Sequence, residues 1–290
     1  MDKWQSADKI VTKEILTKKD FTDIPTERAV CQLKIDNINE SDLKIDELTL
    51  KYPSDIIYGT NEKEWILGDA CTELDRQIER AISTMFINEK SLITVRINSE
   101  KNATTDEIQN IKFELTLINF QPFKPIWQWT PEEKYEIALK YKERGIKIFQ
   151  QTHYVDAFHK FSKACKILIT LEPMIDLKLN ENLKQDIENL RTLLYNNMAE
   201  CHVHRKNYEH VITLCNKVLD RDVNNVKALY RRGIAYGNLQ NYENSVEDLK
   251  MVLSLEPNNS LVKEKFNFYK QQSQIENKKY EEIVKRMFEF

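Results

Sequence analysis

Glycine is scarce, at 5 of 290 residues, where average usage near 7% gives about twenty. Glycine-rich phosphate cradles and dinucleotide fingerprints are thereby excluded, because both need that residue where the backbone closes on its ligand. The five cysteines, Cys31, Cys71, Cys165, Cys201 and Cys215, are an odd number, widely spaced, with no CxxC pair. That rules out a disulfide-stapled mini-fold and fits reduced thiols in the cytosol or nucleus. An excess of one charge is lacking too: Lys+Arg total 43 and Asp+Glu 46, a net charge of −3. Any basic binding surface must be local, and no nucleic-acid partner is expected. No stretch approaches the ~18 uninterrupted apolar residues of a membrane span, and MDKWQSADK lacks the apolar core of a secretion signal, so no membrane partner is expected either.

What is present is a chain of 290 residues, 41% hydrophobic and 31% charged. That length is roughly twice the ~150 of one ordinary domain, and the composition belongs to folded chains with long solvated faces. Up to about residue 120 the pattern is short alternating segments, RAVCQLKIDNI (28–38), KSLITVRI (90–97) and IKFELTLINF (111–120). In the last, Phe113, Leu115 and Leu117 alternate with Glu114, Thr116 and Ile118, the period of a half-buried antiparallel strand. CTELDRQIERAISTM (71–85) instead sets Leu74, Ile78, Ala81, Ile82 and Met85 three and four apart, one apolar stripe on a helix. A sheet with one helix predicts an α+β domain over 1–120.

Pro122, Pro125 and Pro131 then fall within ten residues, which interrupts ladders and helices alike and places a linker at 121–130. Thr130, Pro131 and Glu133 have the form of a helix start. From 131 to 290 the chain reads as all-α, and it repeats. The step from Ala199 to Gly233 equals that from Tyr208 to Tyr242, and it matches the repeat of about 34 residues of a tetratricopeptide (TPR) helix-turn-helix. An earlier copy fits Gly145, Tyr154, Ala157, Phe161 and Ala164, with 20 extra residues within about 170–190. Three repeats are the usual minimum for a continuous core, and a closing helix with Tyr280, Ile283, Val284, Met287 and Phe288 on one face is expected to cap them.

The segments KYKERGIKIFQ (140–150), LYNNMAECHVHRKNY (194–208) and VKALYRRGIAYGNLQNYENSVEDLKMVLSLEPNN (226–259) resemble the TPR domain of the large immunophilins, FKBP-type isomerases fused to a chaperone-binding module. The resemblance implies a groove that grips the C-terminal EEVD tail of the ninety-kilodalton heat-shock chaperone, with the seventy-kilodalton chaperone as a second candidate. It assigns carboxylate-clamp roles to Lys142, Asn197, Lys227 and Arg231. Independently of it, Lys227 and Arg231 are four apart on one helix face, and a terminal aspartate offers two adjacent carboxylates suited to a guanidinium, an ammonium and an amide together. One position departs from the pattern: Ile146 stands where many such clamps carry a second asparagine.

EWILGD (64–69), ERAISTMFINEKSLITVRI (79–97) and FELTLINF (113–120) resemble the FKBP domain of the same family. Counted back from Met85, however, the tryptophan floor of the isomerase cup is Ile78, the glycine before it Gln77, and the neighbouring pocket isoleucine Asp75. No Phe-Asp pair follows the first strand, and the loop 98–110 lacks the Tyr-Gly that borders the cup. X-Pro rotation faces a barrier of ~18–20 kcal/mol that only selective binding of the twisted amide lowers, so the resemblance implies an inactive isomerase.

The expectation is therefore a non-enzymatic co-chaperone adaptor of the cytosol or nucleus, with no cofactor and no metal, whose FKBP-like domain holds a client. Residual isomerase activity, or a TPR scaffold for another peptide such as in a germline small-RNA pathway, are the competing readings. His202, His204 and His210 with Cys201 and Cys215 sit at helix-packing offsets, without the paired spacing of a zinc site. Trp65, Trp127 and Trp129 are open to two readings, an exposed docking patch or an aromatic plug.

Overall fold

The computed structural model describes residues 2–17, 23–39, 52–98, 108–174 and 179–288. The chain divides into two compact units, Met1–Trp129 and Thr130–Phe290.

Among its described residues, the first unit is a six-stranded antiparallel sheet with one α-helix. Strands β1 (Lys3–Gln5), β2 (Val11–Ile15), β3 (Val30–Asn39), β4 (Glu62–Ile66), β5 (Glu89–Asn98) and β6 (Ile108–Gln121) are ordered β1-β2-β5-β6-β3-β4. Period-two patterning sets the register: Phe113, Leu115 and Leu117 of β6 are fully buried, while Glu114 turns outward to pair with Lys90 at 2.7 Å. Helix α1 (Glu73–Ile82) starts at the cap Thr72, whose hydroxyl accepts from the Asp75 N–H at 3.1 Å. Its stripe, Leu74, Ile78, Ala81 and Ile82, is buried in the same core as the sheet, and Met85 joins it from the turn beyond. Strands β1 and β2 are not among the alternating segments that the sequence displays. They place Lys13 inside the fold, with its ammonium 2.7 Å from Glu89 and both side chains almost fully buried.

The segment after β6 is tied to the first unit by the Thr26 hydroxyl, which donates to the Phe123 carbonyl at 3.2 Å. Trp129 is buried, donates from Nε1 to the Lys124 carbonyl at 2.6 Å and meets the Phe123 ring edge-on at 5.6 Å. Trp127, in a 3₁₀ turn (Ile126–Gln128), is 78% exposed, and Trp65 is half-buried with Nε1 donating to Glu79 at 2.9 Å. The three indoles thus share no single patch: one is a plug, one is solvated and one packs on α1.

The second unit consists of helix pairs α2 (Pro131–Gln150) with α3 (Tyr154–Ile169), α4 (Glu181–His204) with α5 (Tyr208–Leu219), and α6 (Val226–Asn238) with α7 (Tyr242–Leu255), followed by α8 (Ser260–Phe288). The capping box at its start is complete: the Thr130 hydroxyl accepts from the Glu133 N–H at 3.2 Å, and the Glu133 carboxylate accepts from the Thr130 N–H at 2.8 Å. The turn inside each pair carries one left-handed residue, Thr152, Lys206 and Gln240, with φ of 64°, 56° and 63°. The last two are one repeat period apart, so the repeat is written in backbone geometry as well as in side chains. Much of the additional length before the second pair lengthens α4, which runs for 24 residues; residues 175–178 lie outside those described.

Closure of the stack differs from the expectation. Val262 and Tyr269, on the first turns of α8, are buried, whereas Tyr280, Ile283 and Met287 are 69%, 55% and 69% exposed. An amphipathic pattern near the end of the helix is a poor guide because α8 packs on α6 and α7, and its 29 residues run for about 44 Å at 1.5 Å each, well past them. Tyr269 explains one of the few glycines: a Cβ on Gly237 would collide with its ring. Gly237→Ala gains helix propensity of up to ~1 kcal/mol but forces a buried ring aside, which costs about 1–3 kcal/mol. Net destabilisation of the helical unit is expected, seen as a lower melting midpoint by circular dichroism; an unchanged or raised midpoint would contradict the packing.

Candidate functional site

The first helices of the three pairs lie side by side, α4 touching both α2 and α6, and they carry the residues assigned to the clamp. Lys142 is half-buried on α2, Asn197 half-buried on α4, and Lys227 exposed on the first turn of α6. Among the described residues, none of the three has a hydrogen-bond or ion-pair partner. Arg231, one turn beyond Lys227, is engaged. Its Nη1 donates to the Asn196 amide oxygen at 3.0 Å, and its Nε is bonded to the Glu200 carboxylate. Asn196 is itself buried and donates from Nδ2 to Asn225 Oδ1 at 3.4 Å, while that oxygen also caps α6 by accepting from the Ala228 N–H at 3.1 Å. A buried amide and a helix cap therefore fix the guanidinium's position.

Asn196 and Glu200 are the partners of Arg231 that sequence reasoning missed. A signal existed for both: Asn197 and Arg231 are one repeat period apart and so occupy equivalent positions, and Glu200 lies one turn from Asn197 on the same helix. His204, a further turn along, brings Nε2 to 3.5 Å from the Glu200 carboxylate and stacks on Tyr154 with centroids 4.2 Å apart. Ile146 is 38% exposed on α2 and offers no amide there.

Of the remaining histidines and thiols of these helices, His202, Cys201 and Cys215 are buried and His210 is exposed. His202 is buried, and that burial, with His210 and Arg205 nearby, brings its pKa down to about 4. Its ring meets Phe158 edge-on at 4.7 Å. Burial also pushes the Cys201 and Cys215 thiols up to about 12, which leaves them without thiolate character at neutral pH.

In the first unit, Ile78 is fully buried in the core, together with Ile56 and Ile57 from the segment before β4. Asp75 is fully buried as well and ties that segment down: it accepts from the Ser54 hydroxyl, from the Asp55 N–H at 3.0 Å and from the Ile56 N–H at 3.2 Å. Burial raises its pKa, against the lowering effect of those bonds. The residues following β3 at 40–51 and most of the loop 98–110, namely 99–107, are outside those described.

The family model "BDBT FKBP like N-terminal" matches residues 4–122, "Bride of doubletime-like, TPR domain" matches 130–213, and a tetratricopeptide repeat matches 226–259. The chain thus carries an FKBP-like domain followed by TPR repeats, the domain order in which it is similar to the large immunophilins. Human peptidyl-prolyl cis-trans isomerase FKBP4 is 28% identical over 246 residues, 82% of this chain and 52% of that protein. The chain thus spans about half the length of this curated relative. Protein Bride of doubletime of Drosophila melanogaster is 29% identical over 230 residues, 77% of this chain and 75% of that protein. Among solved structures, the C-terminal TPR-containing domain of a Plasmodium falciparum FK506-binding protein superposes with a TM-score of 0.50 at 29% identity, covering 53% of this chain and 99% of that one. The antiparallel sheet with its helix and the succeeding TPR helices are the α+β-then-α architecture that the sequence pattern predicts.

Proposed function

We propose that the chain is a co-chaperone adaptor whose TPR groove holds the acidic C-terminal tail of the ninety-kilodalton heat-shock chaperone, or of the seventy-kilodalton one, and whose FKBP-like unit binds a client without catalysis. The observation that carries the reading is the arrangement on α2, α4 and α6: three donors without a side-chain partner among the described residues, Lys142, Asn197 and Lys227, on neighbouring helices with a guanidinium fixed by Asn196. Each charge-assisted bond to a carboxylate contributes about 1.5–3 kcal/mol. Three or four, less the cost of ordering a flexible tail, give about −8 kcal/mol, a micromolar affinity. Titration of the full chain with an acetylated EEVD peptide tests this. The free acid is expected to bind in the micromolar range and the C-terminal amide at least about tenfold more weakly; equal binding of acid and amide would refute the clamp.

The second part of the proposal rests on the core. Ile78 and Asp75 stand where the family resemblance places the floor and wall of a prolyl cup, and both are buried, Asp75 in hydrogen bonds to its own chain. A protease-coupled assay on a prolyl peptide is expected to give the uncatalysed rate with the full chain present. The name of the FKBP4 relative favours the opposite reading, and clear turnover would establish it.

A further inference from the structure

Arg231 does not await a ligand in the way Lys142, Asn197 and Lys227 do. A carboxylate already occupies it, that of Glu200, and the pair is only partly shielded, with side chains 16% and 31% exposed. We infer that Glu200 is a specificity-determining residue of the groove, a built-in stand-in for a ligand carboxylate that an acidic chain terminus must displace before it reaches Arg231. The inference rests on the clamp reading above and deepens it.

Three features make displacement a physical process. Arg231 keeps a second partner, the Asn196 oxygen at 3.0 Å, so the guanidinium stays in place when Glu200 leaves. Glu200 has another donor within reach, His204 Nε2 at 3.5 Å, one turn along the same helix. Glu200 also lies one turn from Asn197, so its negative charge sits beside the ligand path and repels an acidic tail even when swung aside. The groove then favours a chain end carrying few acids beyond its terminus over one carrying several.

The full chain is titrated with the acetylated EEVD acid and with its amide, as wild type, Glu200→Gln and Glu200→Ala. Both variants are expected to bind the acid at least about fivefold more tightly than wild type, with a steeper loss of affinity as salt is raised, since removal of one negative charge leaves the groove more positive. Binding of the amide is expected to change less. Two variants of different shape guard against a packing effect, and equal melting curves confirm that each is folded. If wild type binds the acid selectively and neither variant binds it more tightly, the role assigned to Glu200 is wrong while the clamp stands. If none of the three proteins prefers acid over amide, both fall together.

Discussion

With Lys227 and Arg231 both replaced by alanine, the full chain loses measurable binding of the acidic peptide, an expected weakening of at least a hundredfold. Two charge-assisted bonds at about 1.5–3 kcal/mol each amount to two or more orders of magnitude in Kd. The single variants separate a ligand contact from a structural one. Lys227 is exposed and without a partner among the described residues, so Lys227→Ala disturbs no internal bond and its loss of affinity reads the ligand directly. Arg231→Ala also frees Glu200 and Asn196, which makes its effect a composite. Wild-type affinity should fall with ionic strength, as expected of partly exposed charges. Retention of full affinity by the double variant would place the ligand elsewhere.

Lys13→Met is the substitution expected to damage the fold most. Glu89 is fully buried, and besides pairing with Lys13 it accepts from the Phe86 N–H at 3.0 Å and the Ser91 hydroxyl at 2.8 Å. Removing one member of a buried pair leaves the other charge uncompensated, at a cost of about 3–5 kcal/mol. Lys13→Met combined with Glu89→Gln is expected to recover most of that loss, because neither charge of the pair then remains. All four tryptophans, Trp4, Trp65, Trp127 and Trp129, lie in the first unit, so indole fluorescence during urea unfolding follows this unit alone.

The pH dependence of the same pair has a definite sign. Burial alone would raise the Glu89 pKa, but the bonds from Lys13, Phe86 and Ser91 outweigh it and hold the carboxyl below its ordinary value of 4.5. A carboxyl depressed in the native state contributes stability that is present above that ordinary value and lost as pH falls through the native one. In Lys13→Met the cation is gone, burial dominates and the sign reverses. The stability gap between wild type and variant should therefore narrow between pH 7 and pH 4. A gap independent of pH would mean that the ammonium does not hold Glu89 ionised.

Most elements are legible because their signals are local. The alternation in β6, the stripe on α1, the Thr130 capping box and the TPR period each lie within one segment or recur along the chain, and each corresponds to an element in the structure. Strands β1 and β2 escape because β1 is three residues long and because an inward lysine in β2 breaks the apolar alternation. Its partner Glu89 comes much later in the chain, at the start of β5, and no local pattern announces such a pair. The closing helix carries an apolar stripe near its end, yet burial is decided by how far its neighbours reach. Positions on the groove helices follow from the repeat, but the occupation of Arg231 by Glu200 depends on side-chain geometry that spacing leaves open.

Asp75 carries a historical consequence. Under the inactive reading, the carboxylate that stands at a former cup wall is now the tie that secures residues 54–56 to α1. Under that reading Asp75→Ile severs the tie without supplying a floor at Ile78, so this single step costs folding stability and yields no turnover. Foldedness alone then suffices to retain the Asp75 carboxylate as a strut, independently of any chemistry in this unit.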